Sequence, residues 1–392
     1  MLPCPHAKKC SGCQLQNLTY EEQLHMKQAK LIGLLGRFGH VNEIIGMDDP
    51  THYRNKVQSA FAMRDGKVIS GVYQSATGRI VPVDSCMLED EHATAIVHTI
   101  RKLCVPFKIK PYDMRTGRGF LRHVLVRRGF VSGEIMVVLV TARGDFPSSR
   151  SFTNELLRRH PEITTLVWNV NPTDTALLLG SKSEVLFGDG YITDTLCGLN
   201  FRISPRSFYQ VNPVQTEILY SKAKEFASLT GKERVIDAYC GTGTIGLTMA
   251  RDAKEIIGVE VNRDAVKDAQ YNATLNGITN ASFYAADAGE LMTALAEGGE
   301  SADVVVTDPP RAGCSPRFLK SLLTLAPERI VYVSCNPETL ARDLFTLKKG
   351  GYRVTKIQPV DMFPWTAHVE CVVRLTRHKD IKSKSTNGDI CI

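Results

Sequence analysis

Apolar positions along this chain follow two textures, and the change between them falls near residue 206. Before the first texture, residues 19–39 read as an amphipathic helix. Thr19 can cap it and Glu22 stands three positions on, which makes a capping box. From 51 to 205, short runs rich in β-branched and aromatic residues predict strands at 57–63, 68–73, 121–127, 134–140 and 165–169. Helical stretches near 89–104 and 148–160 interrupt them, so this part reads as an α+β domain with an antiparallel sheet. From 213 a helix to about 229 leads into strand-like runs at 234–238, 255–261, 282–285, 302–307 and 329–334 that alternate with helical ones. Such alternation predicts an α/β unit with a mostly parallel sheet and helices on both faces. A late strand is expected at 369–375. The expected organisation is a cysteine loop at 1–18, a helical segment at 19–50, a central domain at 51–205, an α/β domain at 206–377 and a disordered lysine-rich tail at 378–392.

Length and composition add bounds. A chain of 392 residues suggests two or three domains. Its formal charge of +7 is a mild bias towards anionic partners. There is no apolar run of about 18 residues, so no membrane span is expected, and the N-terminus lacks the apolar core of a signal peptide. Eleven cysteines without a secretion signal fit thiols or metal ligands in a reducing cytoplasm better than disulfides.

Val235-Ile236-Asp237-Ala238-Tyr239-Cys240-Gly241-Thr242-Gly243-Thr244-Ile245-Gly246 is a strand, a glycine loop and a helix start. Gly241, Gly243 and Gly246 match a dinucleotide fingerprint, and Glu260 ends the next strand at a suitable distance. Asp237 before the loop argues instead for S-adenosyl-L-methionine. A carboxylate there can approach a cationic amino acid end, whereas it would oppose a pyrophosphate. Asp287, after the third strand, could meet an adenine amine, and Glu260 the ribose hydroxyls. Asp308-Pro309-Pro310-Arg311 follows the fourth strand, where Asp308 can accept a hydrogen bond from a base or from the cofactor; a rigid two-proline turn is the plain alternative.

Cys335 stands where the apolar run 329–334 stops and Asn336-Pro337 opens a helix. The helix dipole would lower the pKa of its thiol and make a nucleophile; a small buried residue ending a strand is the other reading. Methyl transfer to carbon 5 of uracil needs such a nucleophile. Carbon 5 attacks a methyl sulfonium only after a thiolate has added to carbon 6, and a base must then remove the carbon 5 proton. Glu370 enters an apolar strand, which is costly unless it faces a polar site, so it is the expected base, ahead of His368.

With these motifs in view, the chain resembles the S-adenosylmethionine-dependent RNA uracil-5-methyltransferases of tRNA and 23S rRNA. The resemblance is carried by Ser207-Phe208-Tyr209-Gln210-Val211-Asn212, the glycine loop, Asp308-Pro309-Pro310-Arg311, Ser334-Cys335-Asn336-Pro337 and His368-Val369-Glu370. It implies a class I methyltransferase fold, a cofactor site lined by Gln210, Tyr239, Glu260 and Asp308, Cys335 as nucleophile and Glu370 as proton acceptor. It also implies that the early helix, about 19–45, packs with the catalytic domain. Some members carry an N-terminal β-barrel domain; this chain begins at the cysteine loop, and none is expected.

Cys4, Cys10 and Cys13, with Cys86 available as a fourth ligand, fit either tetrahedral zinc or a cubane iron–sulfur cluster on chemistry alone. The run Cys10-Ser11-Gly12-Cys13-Gln14-Leu15-Gln16 looks like the iron–sulfur loop of the rRNA branch, which implies a [4Fe-4S] cluster of structural role and 23S rRNA, or a pre-ribosomal particle, as partner. Arg115, Arg118, Arg122, Arg127 and Arg128, interleaved with Tyr112 and Phe120, are candidate RNA contacts, and Lys379, Lys382 and Lys384 could add nonspecific attraction. A cytoplasmic monomer is expected. The competing functions are an exocyclic-amine RNA methyltransferase and a non-catalytic RNA-binding assembly factor.

Overall fold

The computed structural model describes residues 4–173 and 178–378. The expected disordered tail lies outside them, apart from His378. Helix α1 (Tyr20–Leu35) begins at the expected capping box: the Thr19 hydroxyl accepts from the Glu22 N–H, and the Glu22 carboxylate accepts from the Thr19 N–H at 2.7 Å. Among the described residues, the central part forms a seven-stranded sheet. Its strands are β1 (Lys56–Arg64), β2 (Lys67–Tyr73), β3 (Ile80–Pro82), β4 (Leu121–Arg128), β5 (Ile135–Thr141), β6 (Ile163–Val170) and β7 (Lys182–Phe187), in the spatial order β3-β2-β1-β4-β5-β6-β7. Helices α2 (Glu91–Leu103) and α3 (Ser149–Arg159) cover one face, where Val57, Phe61, Ile96, Ile100 and Phe152 share a core.

The sheet is mixed rather than antiparallel, because β5 and β6 run parallel. The cause is α3, which lies between them in sequence and carries the chain back to the starting end, so the next strand points the same way. The opposite face of β5 (Met136, Val138, Val140) packs on the hairpin β8 (Ile192–Leu196) and β9 (Leu199–Ile203), and through it on the second unit.

The second unit holds α4 (Pro213–Ala227), β10 (Arg234–Ala238), α5 (Thr244–Met249), β11 (Glu255–Glu260), α6 (Arg263–Leu275), β12 (Ala281–Ala285), α7 (Ala288–Glu297), β13 (Val304–Thr307), α8 (Pro316–Leu325), β14 (Arg329–Ser334), α9 (Pro337–Lys349), β15 (Tyr352–Val360) and β16 (Glu370–Arg377). Strand order is β12-β11-β10-β13-β14-β16-β15. The first five are parallel and β16 is antiparallel to both its neighbours. This is the class I α/β methyltransferase fold. The inner parallel strands β10, β11, β13 and β14 are largely apolar runs, as burial on both faces demands, whereas β12 at the edge is mostly exposed. The order reverses at β10, so the carboxyl ends of β10 and β13 flank the crevice where such sheets bind ligands.

Helix α1 belongs with this sheet. It packs on α9, and Val41 and Ile45 bridge to Ile357 and Val360 of β15. Inside the contact, Lys27 and Asp361 form a fully buried ion pair at 2.6 Å, to which the Tyr20 hydroxyl donates at 3.0 Å.

Candidate active site

One loop of the backbone shapes the cofactor end. After β10 the chain enters the left-handed region at Tyr239 (φ 63°), Gly241 (φ 54°) and Gly243 (φ 80°), which carries it over the sheet and into α5. Gly241 donates to the Glu260 carboxylate at 3.2 Å, so the end of β11 holds the loop.

The reaction end comes from register. Strands β14 and β16 are antiparallel, with Ser334 opposite Cys371. The residue that follows Ser334 therefore meets the residue that precedes Cys371: Cys335 and Glu370 become neighbours although 35 positions apart in sequence. Asn336 caps α9 through the Glu338 N–H, and Pro337 is the first helical residue. The Asn336 amide also donates to the Arg311 carbonyl at 3.0 Å and ties the Asp308–Arg311 loop to this helix.

A cleft of about 710 Å³ joins the two ends. Gln210, Tyr239, Gly241, Glu260, Asp308, Cys335 and Glu370 all line it, together with Arg311, His368 and the exposed ring of Phe208. Two residues expected there do not. Asp237 is fully buried behind the loop, where its carboxylate accepts from the Gly246 N–H at 2.8 Å and its other oxygen has no partner among the described residues. Asp287 is exposed and caps α7 through the Glu290 N–H at 3.0 Å. The loop glycines and the helix start draw the first carboxylate inwards, and the orphaned α7 donors occupy the second.

The cleft is acidic and poorly solvated. Burial raises Asp237 and Asp308 to about 7, and the other carboxylates add to the shift of Asp237. Glu370 is buried and pushed well above the ordinary carboxylate range, by burial and then by Asp308, with Arg311 opposing. The Cys335 thiol is raised to about 11 by burial, Glu370 and Asp308. The expected lowering by the helix N-terminus is thus overridden: desolvation and two nearby carboxylates outweigh the dipole and Arg311.

Several cleft residues were missed in sequence, three of them polar groups on one wall. Arg54, Lys56 and Gln14 line the wall towards the N-terminal loop. Burial and the neighbouring Arg127 and Arg54 hold Lys56 down at about 8. The signal available was Tyr53-Arg54-Asn55-Lys56 at the start of β1. Conversely, most of the proposed RNA arginines are internal. Arg122 donates to the carbonyls of Asn171 and Thr173 and stacks on Tyr112, Arg127 is buried on the Ser207 carbonyl at 3.0 Å, and Arg128 pairs with Asp90. Arg115 and Arg118 are exposed.

Cys4, Cys10, Cys13 and Cys86 line one cavity of about 270 Å³ with their thiols unpaired. Burial raises the thiol of Cys13, with Cys10 and Cys4 adding to the effect, and that of Cys86 to about 12. The donor set suits a thiolate-bound centre. As they stand, no three His, Cys, Asp or Glu side chains among the described residues are arranged to hold a metal ion. Ser11, Gly12 and Arg54 line both this cavity and the active cleft, so the two share a wall. No helix among the described residues is long and apolar enough to cross a membrane.

The model of the tRNA (uracil-5-)-methyltransferase family matches residues 177–378. The chain belongs to the S-adenosylmethionine-dependent RNA uracil-5-methyltransferase family. It is 46% identical over 378 residues to an uncharacterized RNA methyltransferase of Halalkalibacterium halodurans, covering 95% of this chain and 82% of that one. A Clostridium tetani relative of the same description is 43% identical, over 97% of this chain and 84% of its own. The crystal structure of Pyrococcus abyssi tRNA (uracil-54, C5)-methyltransferase with S-adenosyl-L-homocysteine superposes with a TM-score of 0.79 at 30% identity, covering 93% of this chain and 86% of that one. Membership brings S-adenosylmethionine as methyl donor and RNA as substrate.

Proposed function

We propose that this uracil-5-methyltransferase modifies a uridine of 23S rRNA through a covalent Cys335 adduct. The reading is carried by one observation: the nucleophile and the proton acceptor meet at adjacent strand ends in the same cleft as the glycine loop. Cys335 gives up its thiol proton to solvent and bonds through sulfur to carbon 6 of a uracil that has left its stack, which makes carbon 5 nucleophilic towards the donor's methyl group. The donor, when bound, supplies an electrophilic methyl sulfonium. Glu370 then takes the carbon 5 proton, the carbon–sulfur bond breaks and the thiolate leaves. Gln210, Tyr239, Gly241 and Glu260 would hold the donor, Asp308 would orient the base or the donor, and Asp237 would keep the loop in place from behind. A carboxylate-rich cleft suits a cationic donor.

The four cysteines would hold a [4Fe-4S] cluster that ties the N-terminal loop to the sheet. Anaerobically purified protein should then contain about four iron and four sulfide per chain, lost in Cys13→Ser.

The 23S rRNA assignment rests on the cysteine loop. The likeness to a tRNA (uracil-54, C5) enzyme supports tRNA as the second reading. Incubation with donor and 5-fluorouridine-containing RNA separates them, because fluorine cannot leave as a cation and the adduct persists. A stable adduct with 23S rRNA, mapped to Cys335 and absent from Cys335→Ala, is expected. An adduct with tRNA alone overturns the rRNA assignment. Methylation that survives Cys335→Ala without any adduct overturns the covalent mechanism in favour of an exocyclic-amine enzyme. An assembly factor would bind RNA and incorporate no methyl.

A further inference from the structure

Between β15 and β16 the chain makes a strap, residues 361–369, that delivers His368 and then Glu370 to the cleft. At its middle Trp365 is buried with φ at +69°. A bulky residue holds such a conformation only where its surroundings over-determine it.

Those surroundings come from the other end of the chain. The Trp365 N–H donates to the Gln23 side chain at 2.9 Å, and the Trp365 carbonyl accepts from the Leu15 N–H at 3.1 Å. Its indole donates to the Pro50 carbonyl at 2.9 Å. Its ring packs with Tyr53 and Leu88, against which Cys13 and Cys86 lie. Two residues on, the Ala367 N–H donates to the Gln14 side chain at 3.2 Å. Gln14 is exposed and adjoins Cys13; its amide donates to the Ser11 carbonyl at 2.8 Å. Among the described residues, the backbone N–H groups of residues 366–369 meet one other side-chain acceptor, Thr366, which serves His368 within the strap.

We infer that Gln14, reaching from the cysteine loop to the Ala367 N–H, is a positioning residue that sets the strap and so aims Glu370 at the carbon 5 proton. This rests on the reading of Cys335 and Glu370 proposed above. The chemistry assigns a specific defect to its loss. Addition and methyl transfer would proceed, but proton removal would slow, and methylated RNA would stay bonded to Cys335.

The test measures the fraction of RNA held covalently after a denaturing quench, beside RNA affinity, with ordinary uridine substrate and intact protein. Gln14→Ala should raise that fraction roughly three- to ten-fold, the effect of losing one hydrogen bond, with RNA affinity unchanged. Gln14→Glu retains an oxygen for Ala367 but loses the donor to Ser11, and should release product as the parent does. If Gln14→Glu matches Gln14→Ala, the Ser11 contact is the cause and the inference fails. If RNA affinity falls while the adduct fraction stays at the parent level, Gln14 touches RNA directly and the inference also fails. Glu370→Gln separates the two layers. No adduct from that variant overturns Glu370 as acceptor; adduct from it but none from Gln14→Ala overturns only the positioning role.

Discussion

Asp237 shows how a single side chain can be both placed correctly in sequence and misread in role. Its position at the end of β10, before a glycine loop, was legible. Its direction was not, because the Gly246 N–H that turns it inwards becomes a neighbour only when α5 folds back over the strand. Its carboxyl sits at about 7 against an ordinary 3.8, so the folded chain keeps a proton that the unfolded chain gives up between those values. The stability this proton contributes is complete below about pH 4 and is lost as pH rises through 7. Asp237→Asn keeps an acceptor for Gly246 and has no proton to lose. Chemical denaturation of the donor-free protein should find the variant more stable by on the order of 2 kcal/mol at pH 8, the gap closing towards pH 4; equal gaps at both pH values would refute the account. The same limit explains Cys335. The strand-to-helix junction was visible, but the burial that pushes its thiol up, and the carboxylates that add to it from β16 and the loop after β13, arise only when the sheet forms.

Elements were easier to read than their partners. Helices with side-chain caps, such as α1 at Thr19 and α9 at Asn336, declare their starts in a few residues. The antiparallel pairing of β14 and β16, on which the meeting of Cys335 and Glu370 depends, has no local signature. Several strands left unpredicted had weak local signals, each for its own reason. Strand β7 is almost wholly exposed at a sheet edge, β15 is an edge strand interrupted by Pro359, and the hairpin β8–β9 turns on Cys197-Gly198 without a strong turn pair. Two caps on neighbouring helices separate stability from function. Ser315 caps α8 through the Phe318 N–H at 3.1 Å and does not line the cleft. Asn336 caps α9 and also holds the Arg311 carbonyl. Ser315→Ala and Asn336→Ala should each cost about 1 kcal/mol in denaturant unfolding. Only Asn336→Ala should also slow adduct formation, because it frees the loop that carries Asp308 and Arg311.

At the scale of the whole molecule, the chain closes on itself. Lys27 and Asp361 are separated by 334 residues, and burial lowers the lysine's pKa and raises that of the aspartate even as each favours the other's charge. Removing one partner leaves a buried charge, so Lys27→Met should destabilise by about 3–5 kcal/mol in equilibrium unfolding, whereas Lys27→Met with Asp361→Leu should recover part of that loss; an undiminished loss in the double variant would show that the charge is not the cause. The pair, the Tyr20 hydroxyl and the Gln23 contact all join segments at least 334 residues apart, so the earlier is made long before the later. On a ribosome adding roughly 5–20 residues per second, the N-terminal segment waits tens of seconds for residues 361–368 to appear. During that interval α1 has no strap to grip, and the cysteine loop lacks the tryptophan it rests on. The cleft therefore lacks Glu370 until that residue has emerged, and the thiols of Cys4, Cys10 and Cys13 pass that time without the cover of the finished fold.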